Sequence, residues 1–246
     1  MTPSAPVYWY QELDSTSLEV CRRAKAGELG PLWIAARQQS AGRGRLGRAW
    51  VSPPGNLFTT ALFVEPEGLR HAVRVPFAAG LAVYDACHAI LPDVPFKLKW
   101  PNDVRVEQAK MCGILIESGE TNGVIWIAAG IGLNVQTAPD AAGQATTSLH
   151  DLGAPVGVDP DIALDALRPA FTKRLAQART DFDGLLRDWQ QVAEGIGEIV
   201  QAGPPDARIE GVFVGLEEDG ALVLRLPNGK TQTIRAGDVE LVRRVG

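Results

Sequence analysis

Histidine and cysteine are both scarce in this chain, with three of each among 246 residues. His71, His88 and His150 fall in no zincin or zinc-finger spacing, so the sequence offers no His/Cys metal cage. Cys21, Cys87 and Cys112 form no C-x-x-C pair and are expected to stay reduced and pack as small apolar groups. No Gly-x-Ser-x-Gly elbow is present, which leaves a serine hydrolase without support. No apolar run approaches the roughly 20 residues of a membrane span, and the first twenty residues lack the basic start and apolar core of a secretory signal. The expectation is a cytoplasmic globular protein, in line with 46% hydrophobic and 22% charged residues. Chemistry in such a chain must run mainly on Arg, Lys, Asp, Asn and backbone donors.

A second absence is local. From Leu29 to Val64 there is no acidic residue, although the formal net charge of the whole chain is −5. Four arginines, Arg37, Arg43, Arg45 and Arg48, occupy that window, and Gly42, Gly44 and Gly47 separate the last three. Glycines let backbone N–H groups approach a ligand closely, and guanidinium forks match carboxylate and phosphate oxygens. A positive loop on an acidic protein points to a small anion rather than a nucleic-acid surface. With no acid nearby in sequence, the loop is expected to be mobile without ligand. Gly42-x-Gly44-x-x-Gly47 also satisfies the dinucleotide fingerprint, but that motif must open a helix. Here the chain runs on to Pro53-Pro54-Gly55, which cannot continue one. Gly229-Lys230-Thr231 resembles the end of a P-loop, yet Leu224 stands where the first glycine is required, so Asn228-Gly229 reads as a hairpin turn.

Periodicity predicts strands at Val7–Tyr10, Leu32–Arg37, Leu57–Val64, Phe96–Trp100, Val104–Val106, Met111–Glu117 and Val124–Val135. Helices are predicted from a capping box at Thr16–Glu19 to near Gly27, over residues 70–91, and at about 161–178 and 181–193. After Gly195 short alternating strands and Asp-Gly or Asn-Gly turns predict a small β-barrel. The pattern is α+β, divided as residues 1–195 and 196–246.

Three further segments carry polar groups on apolar elements: Lys99-Trp100-Pro101-Asn102-Asp103, Lys110-x-x-Gly113-Ile114-Leu115-x-Glu117 and Gly130-Ile131-Gly132-Leu133-Asn134. Taken singly each has a plain reading: a solvated strand-end lysine, an Asx turn, a packed tryptophan, or for Asp14-Ser15-Thr16 a helix cap. Together, in this order, they resemble the four motifs of the biotin protein ligases, whose signature loop matches Gly42-Arg43-Gly44-Arg45-x-Gly47-Arg48-x-Trp50.

The resemblance covers nearly the whole chain. It implies a mixed sheet flanked by helices, like the class II aminoacyl-tRNA synthetases, followed by an SH3-like β-barrel. It also implies formation of biotinyl-5′-adenylate from biotin and ATP with Mg²⁺, then transfer to a lysine of a biotin carboxyl carrier domain. By matching position, Ser15, Thr16, Ser17 and Gln39 would bind the ureido ring. Arg43, Gly44, Arg45, Lys110 and Gly113 would surround the biotin carboxylate. Arg43, Arg45, Arg48, Trp50, Asn102, Lys110 and Asn134 would hold ATP, with Trp50 near adenine. Lys110 would be the main catalytic cation with Arg45 beside it, and Asp103 would orient the acceptor amine; metal-binding residues are not indicated. Family members often carry Asn where Ser17 stands. Only about a dozen residues precede Asp14-Ser15-Thr16, too few for a winged-helix domain, so a single-function enzyme is expected, without DNA binding. Sheet-edge dimers in the family keep a homodimer open. The alternatives are a lipoate-type ligase, a non-catalytic biotin sensor and an RNA-binding protein.

Overall fold

The computed structural model describes residues 4–140 and 144–242. Seven strands form the main sheet: β1 (Val7–Leu13), β2 (Leu32–Gln39), β3 (Leu57–Val64), β4 (Lys97–Lys99), β5 (Asp103–Val106), β6 (Ala109–Thr121) and β7 (Val124–Leu133). Their order is β1-β2-β3-β7-β6-β5-β4, with β1 parallel to β2 and every other pair antiparallel. Strands β2, β3 and β7 are near-continuous apolar runs because both faces of the sheet are covered. On one face Leu32, Ile34, Leu62, Trp126 and Ala128 pack under α1 (Thr16–Lys25) through Val20 and Ala24. On the other, Trp33, Ala61, Phe63, Ile127 and Ala129 join the core formed with α3 (Val75–Ile90), α4 (Pro160–Thr180) and α5 (Phe182–Gln191).

Local chemistry sets the helix ends. Asp159 caps α4 by accepting from the Ile162 N–H at 2.9 Å, and Asp181 caps α5 through the Gly184 N–H at 2.9 Å. The single helix expected over residues 70–91 is two, α2 (Leu69–Ala72) and α3. Pro76 lies in the first turn of α3, where its missing N–H is harmless; inside a continuous helix it would remove a hydrogen bond. The capping box expected at Thr16–Glu19 does not form either. Ser15 is the N-cap of α1 and its side chain makes no capping bond, while Glu19 pairs with Arg22 and Arg23.

A second, five-stranded antiparallel sheet comprises β8 (Ile199–Gly203), β9 (Ile209–Leu216), β10 (Leu222–Arg225), β11 (Thr231–Ile234) and β12 (Asp238–Leu241), ordered β11-β10-β9-β8-β12. Its buried residues, including Val200, Phe213 and Leu224, belong to the same continuous apolar cluster as the main core. The Trp100 indole N–H donates to Gly220 O at 3.1 Å, and the Leu216 N–H donates to Gln190 Oε1 at 3.0 Å. The second sheet is therefore packed against the first unit. Among the described residues no helix is long and apolar enough to cross a membrane.

Candidate active site

A cavity of about 540 Å³ opens where β2 and β7 end and β3 and β6 begin. It is lined by Ser15, Thr16, Ser17, Gln39, Arg43, Gly44, Arg45, Arg48, Trp50, Asn102, Asp103, Lys110, Gly113 and Asn134, the residues singled out in the sequence.

The arginine loop is a small hairpin, not a helix entry. Gly44 N–H donates to Arg48 O at 2.7 Å, Trp50 N–H donates to Gly42 O at 2.9 Å, and Arg43 pairs with Ala49. A Cβ at Gly42 would lie 2.3 Å from Trp50 O, so only glycine fits. Leu46 turns the tip at a left-handed φ of 56° with its side chain 73% exposed.

The hairpin lays the Trp50 indole over a glycine floor. Gly113 of β6 and Gly132 of β7 are direct partners in the sheet register. A Cβ on Gly132 would come within 2.5 Å of Trp50 Nε1, and one on Gly113 within 2.9 Å of the ring. Two side-chain-free positions opposite each other thus make a slot as flat as the indole. Lys110 Nζ lies 5.4 Å from the Trp50 ring centroid and 2.7 Å from Asp103 Oδ1. The Lys110 backbone is itself held by a rung of the segment ending the cavity, with its N–H donating to Ala145 O and its carbonyl accepting from Thr147. Asn134 braces that segment by donating from Nδ2 to Thr147 O at 3.0 Å. Asn56, fully buried, accepts from the N–H groups of Val135, Gln136 and Thr137 and so fixes the end of β7.

The expectation that the arginines lack acidic partners is overturned. Arg43 reaches Glu117 at 2.6 Å, and Arg45 and Arg48 lie 3.6 and 3.2 Å from Asp238. Arg45 also donates to Asn102 Oδ1 at 3.0 Å, while Asn102 Nδ2 donates to Ile114 O. Burial pushes the Arg45 pKa down and the nearby Asp238 opposes that shift. The missing acids come from β6 and from β12, seventy to nearly two hundred positions along the chain. Asp238 lines the cavity although it belongs to the C-terminal sheet, and no local sequence signal marked it.

At the other end of the cavity, Ser15, Thr16 and Ser17 are buried on the first turn of α1. Asp14 accepts from the Ser15 N–H at 2.7 Å, and both its oxygens take Arg22, which holds its carboxyl at a pKa of about 2. Gln39 faces Thr16, and both ends of its amide are engaged by the protein. Ser52 and Thr60, buried behind these residues, escaped the sequence reading because each looks like an ordinary polar residue in a loop or strand.

Residues 25–134 match the Biotin/lipoate A/B protein ligase family, and residues 195–242 match the Biotin protein ligase C terminal domain. A biotin–[acetyl-CoA-carboxylase] ligase of Paracoccus denitrificans is 40% identical over 92% of this chain and 96% of its own. This chain belongs to the biotin protein ligase family. The Aquifex aeolicus biotin protein ligase, solved in complex with biotin and ATP, superposes with a TM-score of 0.79 at 28% identity, covering 97% of this chain and 99% of that one. The Leishmania major biotin protein ligase, solved with biotinyl-5-AMP, superposes with a TM-score of 0.67 at 25% identity, covering 94% of this chain and 99% of that one. The α+β architecture and the small C-terminal sheet are thus those of the family.

Proposed function

We propose that this protein attaches biotin to one lysine of a biotin carboxyl carrier protein at the expense of ATP. The observation that carries this reading is convergence: one cavity joins a buried polar triplet, Ser15–Thr16–Ser17, to Lys110 and the arginine hairpin. In the first step an oxygen of the biotin carboxylate attacks the α-phosphorus of ATP, the bond to the β-phosphate bridge breaks, and pyrophosphate leaves. No base is needed, because that carboxylate is already ionised at neutral pH. The protein instead neutralises crowded negative charge, with Lys110 and Arg45 nearest the reacting oxygens and Arg43 and Arg48 at the rim. Gly44 and Gly113 allow the ligand close to the backbone.

Trp50 offers its ring to the nucleotide base, and Asn102 and Asn134 offer amides to the ribose and phosphates. In the second step the acceptor amine attacks the acyl carbon, AMP leaves, and the amine loses a proton. In this reading Asp103 orients that amine. Among the described residues no three His, Cys, Asp or Glu side chains gather as a metal cage. Mg²⁺ enters this reading with the ATP phosphates, as is usual for a cation that keeps few protein ligands.

Residues 1–195 are read as the catalytic unit. Residues 196–246 help to hold ATP through Asp238, in a cytoplasmic protein whose outer β1 edge is where a second copy would pair. The matched C-terminal domain and the named relative favour biotin over lipoate. The test is biotin-dependent exchange of labelled pyrophosphate into ATP, with lipoate as competitor. Exchange that needs biotin and ignores lipoate is expected; exchange with lipoate alone would move the protein to the sister activity.

A further inference from the structure

Behind the polar triplet runs a chain of hydrogen bonds whose proton directions follow, link by link, from the carbonyl at one end. Ser52 Oγ lies 2.9 Å from Trp50 O, which can only accept, so the Ser52 proton points there. Ser52 Oγ then accepts from Gln39 Nε2 at 2.9 Å. Gln39 Oε1 therefore faces Thr16, where it accepts the Thr16 N–H at 2.8 Å and the Thr16 hydroxyl at 3.2 Å. With its proton given to Gln39, Thr16 Oγ1 accepts from Thr60 at 2.9 Å. The Thr60 proton being so placed, the 3.4 Å contact with Ser17 is one in which Ser17 donates to Thr60.

Each hydroxyl has a single proton, and every one of these protons is directed into the protein. What Thr16 and Ser17 turn toward the cavity is lone pairs. Thr60 and Ser52 themselves do not line the cavity.

We infer that Thr60 and Ser52 are positioning residues that fix the polarity of this hydrogen-bond chain, so that Thr16 and Ser17 meet the ligand as acceptors and select a ring bearing N–H. The inference rests on the biotin reading above and deepens it. A cyclic urea presents N–H groups to such acceptors, whereas a dithiolane ring has none and would leave buried lone pairs unpaired. Gln39 lines the cavity and also holds Thr16. The carbonyl of Trp50 at the far end ties the same chain to the hairpin that carries the indole.

The test uses the whole protein and three ligands: biotin and the two analogues in which one ureido N–H is replaced by a ring oxygen. Binding is read by calorimetry, and KM and kcat by pyrophosphate exchange. Wild type is expected to prefer biotin over at least one carbamate by more than about 100-fold, as expected for a site built around a ligand hydrogen bond. Thr60→Val, which keeps shape and removes the hydroxyl, should raise the biotin KM about tenfold and shrink that preference, through unpaired groups at Thr16 and Ser17. KM for ATP and kcat should stay within about twofold, and Thr60→Ser should restore biotin KM. Ser52→Ala should move biotin KM in the same direction by a smaller factor.

Equal binding of biotin and both carbamates by wild type would overturn the inference. So would a Thr60→Val change that strikes biotin KM, ATP KM and kcat alike and is not rescued by Thr60→Ser. Selective biotin binding without any exchange would keep the inference and overturn the ligase reading; no biotin binding at all would overturn both.

Discussion

Lys110 Nζ sits 2.7 Å from Asp103 Oδ1, and the two residues come from adjoining strands, with β5 paired to β6. The pair is mostly buried and lies beside the Trp50 ring.

For Lys110→Ala, biotin-dependent pyrophosphate exchange should fall by about 10² to 10³, the usual effect of deleting one group that stabilises transition-state charge. A rate within a few-fold of wild type would remove Lys110 from the chemistry.

Asp103→Asn should slow transfer from preformed biotinyl-adenylate to the carrier by about 10²-fold, as for loss of a group that handles a proton in the transition state. Single-turnover transfer measured with isolated adenylate separates this from any effect on the first step. An unchanged transfer rate would assign the orientation of the amine elsewhere.

Gly132→Ala places a Cβ 2.5 Å from Trp50 Nε1, and the ring must leave its slot. Overpacking of this kind costs about 1–3 kcal/mol, to be read from chemical denaturation. ATP KM should rise with it, whereas Gly123→Ala, at an open turn, should leave ATP KM unchanged.

Asp238→Ala removes the shared partner of Arg45 and Arg48. ATP must then supply more of the ordering of both side chains, at about 0.5–1.5 kcal/mol each, so its KM should rise roughly five- to 150-fold. A biotin Kd unchanged in the same variant would show that the effect stays at the nucleotide end. A lower ATP KM would mean that Asp238 competes with phosphate instead.

The Asp14 carboxyl titrates near 2 in the folded protein against 3.8 for an unperturbed Asp, because Arg22 holds its charged form. A depressed folded pKa stabilises the fold above the unfolded value and loses that contribution as pH falls through the folded one. The stability gap between wild type and Arg22→Ala should therefore be constant above about pH 4 and close as pH drops toward 2. Exposure of the pair predicts a smaller gap at high salt. A gap independent of pH would mean that Arg22 acts by packing alone.

The alternation of the strands, the helix starting near residue 161 and the residues of the polar motifs were legible in the sequence because each depends on near neighbours in the chain. The break before α3 was not read, although Pro76 is visible, because a continuing apolar period outweighed it. Ser15 was read as part of a cap, but its side chain makes no capping bond and it lines the cavity with Thr16 and Ser17. The pairing of the arginines failed for a stronger reason: a window free of acids says nothing about Glu117 and Asp238, which arrive from other strands.

By itself the sequence determined an α+β chain with no metal-ligand spacing, a glycine-spaced arginine loop and a set of polar motifs on apolar strands, since periodicity and turn chemistry are local. Only the tertiary structure decided that Gly113 and Gly132 stand opposite each other as a floor for Trp50. It alone decided that Asp238 closes the arginine hairpin from the second sheet, and that Ser52 and Thr60 give the polar pocket its hydrogen-bond direction. Strand register and sheet packing bring these groups together across long separations, and no pattern of neighbouring residues encodes a distance of that kind.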